Sequence, residues 1–86
     1  MNWPDEALNE VRSREDLARF LIELSRKIRS GEMPVENFTA EGLVDAAGRW
    51  TYSMDGFFEN IIQEPVPEIP DWSMVAAIFR SALIYE

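Results

Sequence analysis

The chain has no His and no Cys, the two side chains most often tuned to move protons or attack carbon near neutral pH. Carboxylates remain for acid–base work. Asp55 with Glu59, or Glu64 with Glu68, offers an acid and base pair in principle, but a hydrolytic cleft also needs concave walls and substrate-holding groups that a domain this small rarely supplies. The hydroxyls of Ser13, Ser25, Ser30, Ser53, Ser73 and Ser81 have neither a His partner nor a Gly-x-Ser-x-Gly context to activate them. Metal binding is confined to oxygen ligands. The segment from Asp55 to Asn60 provides three, without the alternating acids and closing Glu of a calcium loop. No catalytic, cofactor-binding or metal-ligating residue is expected, and a carboxylate-based enzyme is the last-ranked reading.

The carboxylates matter more as a field. Residues 1–30 balance six acids against six bases, whereas residues 31–86 carry ten acids against Arg49 and Arg80, and so hold the whole net charge of −8. Such a field speeds association with basic partners and repels nucleic acid. A nucleic-acid site built on Arg26, Lys27 and Arg29 is therefore not expected. The row Glu15, Arg19, Glu23, Lys27 reads as a solvated helix face of alternating sign.

The elements that position these charges follow from periodicity. Ser13 is placed to cap a helix whose apolar residues Leu17, Phe20, Leu21, Leu24 and Ile28 repeat at helical spacing up to Gly31. Thr39 caps a second helix with a stripe of Leu43, Ala47, Trp50, Met54 and Phe57, ended or bent at Asp55-Gly56. Gly42 and Gly48 in that helix suggest close backbone packing beside Ala46 and Ala47. Three prolines make 63–71 an extended strap pinned by Val66 and Ile69. Asp71 caps a last helix that buries Trp72, Val75, Ala76, Phe79, Ala82 and Leu83 and turns Arg80 outward. Trp3-Pro4 and the residues after it suit a short helix whose Trp covers one end of the core. The expected architecture is all-α: a single domain over 1–86, with three main helices at about 14–30, 40–55 and 72–84, one or two short ones, and the crossover 63–71. The apolar run Trp72 to Phe79 is far short of the ~20 residues a membrane span requires, and the N-terminus lacks signal-peptide character. A cytoplasmic protein without a membrane partner is expected. The sequon Asn37-Phe38-Thr39 and the PxxP match Pro67-Glu68-Ile69-Pro70 are read as coincidental and structural, respectively.

Tyr52 and Phe58 fall off the second helix's apolar stripe, which leaves two readings open: both exposed beside Asp55 and Glu59, or both lying beneath the proline strap. Aromatics ringed by carboxylates have the composition of a binding hot spot within a polar rim. With Glu64 and Glu68 from the strap, these six residues form the expected partner-binding set.

Four groups of residues carry a resemblance. They are Ser13 to Leu17 with Phe20; Glu36-Asn37 with Thr39; Trp50 with Met54 to Phe58; and Trp72 with Tyr85-Glu86. Over about residues 13–86 they resemble a family of small, acidic bacterial domains of unknown function. Phe57-Phe58 departs from it, since more polar aromatics such as Tyr are expected there. The resemblance implies a stand-alone, mainly helical domain and transfers no catalytic residue. In size, charge and fold class the chain is also similar to nuclease-immunity proteins, by analogy alone. The expected function is a binding module that occludes a basic surface on another protein, with toxin neutralisation as its most concrete form. The alternative is a structural subunit that self-associates through exposed apolar residues of the last helix.

Overall fold

A computed structural model describes residues 1–85. Its α-helices are α1 (Glu6–Asn9), α2 (Arg14–Arg29), α3 (Ala40–Phe57) and α4 (Trp72–Ala82), with a π-helical turn (Phe58–Ile62) extending α3. No strand occurs among the described residues, and none of their helices is long and apolar enough to cross a membrane.

The helix ends are set by the residues expected to set them. Ser13, Thr39 and Asp71 accept from the backbone N–H of Asp16 (3.1 Å), Gly42 (3.0 Å) and Met74 (3.0 Å), and Asp5 caps α1 through Ala7 N–H; each supplies an orphan donor of a first turn with an acceptor. Gly31 stops α2 in the left-handed region at φ +79°. The N–H of Glu32 then reaches Lys27 O (2.9 Å) and that of Gly31 reaches Ile28 O (3.2 Å), the paired bonds of a Schellman ending. At the other end of the fold, Leu83 O accepts from the N–H groups of Glu36 and Asn37, while Asn37 Nδ2 donates to Ala82 O (2.7 Å) and Tyr85 O (3.0 Å). The sequon is thus a structural joint: Asn37 closes α4 and Thr39 opens α3.

α1, α2 and α3 all pack against α4. A helix with three neighbours must let their backbones approach, and α4 does so through Ser73, Ala76, Ala77 and Ala82, all buried. That requirement corrects the expectation for its large aromatics. Trp72 (43% exposed) and Phe79 (41%) lie at the margin, and Arg80 is half-buried rather than outward. On α2, only Leu24 is buried; Leu17, Phe20 and Leu21 are half-buried and Ile28 is exposed, because α2 flanks α4 instead of crossing a central core.

The densest packing is aromatic. Trp3 stands edge-on to Phe58 (centroids 5.7 Å apart) and stacks on Phe57 (6.1 Å), which meets Trp50 at 6.0 Å. Trp3 is 2% exposed; its Nε1 donates to the buried Ser73 hydroxyl (2.8 Å), which donates to Asp71 (2.6 Å). Asn9 holds Trp3 in place by accepting from its N–H (2.7 Å) and donating to its carbonyl (2.9 Å). Leu8 and Val11 complete the same core.

Asp55-Gly56 does not end α3. The helix passes through it and widens into the π turn, which Gln63 closes at φ +63° with its N–H on Phe58 O. Gly48 packs against nothing, with no atom within 4 Å of an added Cβ, and Gly42 meets only the capping side chains of Thr39 and Asn37, so neither marks a close helix crossing. Along the strap 63–71, Val66 is half-buried but Ile69 is 85% exposed and pins nothing.

Candidate functional site

Where α3, its π turn and the strap meet, the surface forms two adjoining depressions. The first, of about 440 Å³, is lined by Asp55, Glu59, Gln63, Glu64 and Pro65 above a Phe58 floor. The second, of about 430 Å³, is lined by Tyr52, Met54, Pro67, Pro70, Met74 and Ile78, with Thr51 at its edge. Asp55 and Val66 line both. Both have a largely apolar surface; three carboxylates stand around the first, the acidic depression, and only Asp55 around the second, the apolar one, and no Lys or Arg lines either.

The structure therefore brings four of the six expected residues to one face. Tyr52 is 90% exposed at the rim of the apolar depression, Asp55 sits at the junction, and Glu59 and Glu64 stand around the acidic one. Glu68 is exposed but lines neither depression. Phe58 is a correction: at 1% exposure it is the largest fully buried side chain and supports the face from beneath. Trp50, Met54 and Phe58 recur every four residues, the helical spacing of a single face, once the helix is allowed past Gly56. Continuing the stripe from Met54 to Phe57, three residues on, instead of to Phe58, four on, hid that signal. The apolar members Met74 and Ile78 were missed because they come from α4, and nothing local in the sequence joins them to Tyr52.

Two sparsely populated backbone features fall here: the π turn and the left-handed, non-glycine Gln63. Both recur at functional sites more than elsewhere. Phe57 and Phe58, consecutive in sequence and both in right-handed helical backbone where α3 passes into the π turn, both reach the Trp3 ring.

The ion pairs are elsewhere. Among the described residues, all except Arg49–Asp45 lie between residues 14 and 32: Arg14–Glu15, Arg19–Asp16, and Arg26 with both Glu23 and Glu32. The expected row Glu15, Arg19, Glu23, Lys27 is solvated, but its arginines pair at three-residue spacing, Arg19 back to Asp16 and Arg26 back to Glu23. These contacts shift ionisation. The Arg12 backbone N–H, seconded by Ser13 and Arg19, holds Asp16 below the usual carboxylate range; Arg26 does the same to Glu23. The Ser30 hydroxyl and then Arg26 lower Glu32, and Arg26 itself is raised, first by its hydrogen bond to Glu23. Asp55, Glu59, Glu64 and Glu68 have no ion-pair partner among the described residues. Glu86, one of the ten acids of the second part and half of the terminal Tyr-Glu pair, lies outside those residues.

A third hollow, of about 460 Å³, runs beside α2 and is lined by cations and acids together, among them Arg19, Lys27 and Arg80 with Asp16 and Glu23. It lacks the single sign of the α3–strap face. No group of three or more Asp or Glu among the described residues is arranged to hold a metal ion.

A model of a family described as a family of unknown function (DUF7660) matches residues 13–86. The chain has no match among curated proteins or among solved structures.

Proposed function

The chain belongs to this family of unknown function, and as membership assigns no activity, we propose from the site that it is a protein-binding module whose α3–strap face covers a basic surface on another protein. One observation carries the reading. Asp55, Glu59 and Glu64 line one continuous face with the exposed Tyr52, and no basic side chain lines the two depressions of that face. Carboxylates without ion-pair partners in their own chain are available to cations of a partner. Their solvation is given up only on docking, and their field steers the approach. Tyr52 supplies a rigid, amphipathic contact of the type that anchors interfaces.

Neutralisation of a toxin that normally receives phosphates is the most concrete version, since carboxylates held at such a face substitute for phosphate oxygens. The test is retention from native lysate at low salt by the wild-type chain, by Glu59→Lys/Glu64→Lys, and by Glu15→Lys as a control on the α2 flank. The reading expects a basic protein that the wild type and the control retain and the double variant loses. Equal retention by all three contradicts it.

A second reading, self-association as a structural subunit, is favoured by Trp72 and Phe79, which stand seven residues apart on α4 and are 43% and 41% exposed. Sedimentation that depends on protein concentration but not on salt supports it. Sedimentation as a monomer at all concentrations removes it.

A further inference from the structure

The acidic depression accounts for charge but leaves its apolar neighbour unexplained. Met54 and Met74 form its floor, the rings of Pro67 and Pro70 its walls, and Tyr52 its rim. At about 430 Å³ it falls within the range of about 300–1,000 Å³ that characterises ligand sites. Thioether sulfurs favour aromatic rings, and flexible Met side chains adapt to what enters. The junction residue Asp55 belongs to both depressions, so a group seated in the apolar one lies directly beside carboxylates.

We propose that the apolar depression receives an aromatic side chain of the partner and the carboxylates of Asp55, Glu59 and Glu64 receive the Lys or Arg residues flanking it. This rests on the protein-binding reading and narrows it: recognition requires an aromatic anchor set between bases, not positive charge alone. Charge complementarity selects this occupant. A second copy of the chain would bring a further net charge of −8 to a face already acidic, whereas a basic segment neutralises it.

The test uses two synthetic probes, acetyl-Lys-Lys-Trp-Lys-Lys-amide and its counterpart with Ser in place of Trp, titrated into the isotope-labelled full chain at low salt. The expected result is that the Trp peptide binds about tenfold or more tighter than the Ser peptide. It should shift the methyl resonances of Met54, Met74 and Ile78, and Tyr52→Ala should weaken the Trp peptide while leaving the Ser peptide unchanged. Equal affinities, with shifts confined to Glu59 and Glu64, overturn the aromatic site and leave the charge reading standing. If neither peptide perturbs this face at millimolar concentration, both readings fail. Shifts of the same resonances with protein concentration alone assign the depression to a second copy and overturn the proposal.

Discussion

Along α2, Asp16, Glu23 and Glu32 are each engaged by an arginine, and Asp16 and Glu32 also by a backbone N–H or a hydroxyl. On the α3–strap face, Asp55, Glu59 and Glu64 engage no cation among the described residues. The two regions hold one side-chain type in different electrostatic settings. Exposed ion pairs of the α2 kind add little to stability, but they cancel the local field, so that flank is electrostatically quiet. The acids of the other face raise the repulsion within the folded state and gain nothing from their own chain. Under the proposed function, these are the acids available to the cations of another molecule.

The largest difference in stability is expected between Phe58 and Tyr52. Phe58→Ala, beneath the acidic face, should cost about 3–5 kcal/mol of unfolding free energy, whereas Tyr52→Ala, on top of it, should stay within about 0.5 kcal/mol. Urea unfolding of both variants separates floor from rim. A large loss for Tyr52→Ala would mean that the face is structural. Next in size, Glu59→Lys/Glu64→Lys should slow association with a basic partner by about tenfold or more at low salt, with Glu15→Lys changing it less than about twofold. Stopped-flow traces of the two variants compare the regions directly.

The helical frame was legible because its ends are written in single residues: Ser13, Thr39, Asp71 and Gly31 each act locally, through a cap or a left-handed turn. Burial was less legible. Trp72 and Phe79 match a helical stripe as well as Ala76 and Ala77 do, but which side of α4 is crowded depends on three neighbours distant in sequence. Phe58 was less legible because Phe57 and Phe58 both continue a helical stripe from Met54, at three- and four-residue spacing, and only the packing of Trp3 tells which is fully buried. The exposure of Asp55, Glu59 and Glu64 was legible, since carboxylates are rarely buried. The apolar depression was not foreseen, because Met54, Pro67 and Met74 adjoin only through the fold.

Smaller effects are expected at Gly48 and Asp16. Gly48→Ala, on the exposed side of α3 with open space around it, should stabilise the chain by about 0.5–1 kcal/mol, read as a higher urea midpoint. A loss instead would reveal a contact there. The smallest effect is in acid. A carboxylate with a lowered folded pKa contributes stability that is fully present above the ordinary range of about 4 and is lost as pH falls through the depressed value. Asp16→Ala should therefore reduce the loss of stability on acidification below about pH 4, by removing one such group. Unfolding midpoints measured across that range check it, and an unchanged acid slope would show that the Arg12 and Arg19 contacts do not persist in solution.

In the proposed function, acids of the α3–strap face that have no ion-pair partner among the described residues act on a partner protein. The most direct test of that role is the ionic-strength dependence of the association rate constant for the partner retained at low salt, measured for the wild type and for Glu59→Lys/Glu64→Lys. The expected result is a steep fall for the wild type as salt shortens the screening length from about 30 Å to about 8 Å, and a much shallower one for the variant. Parallel lines of equal slope would contradict it.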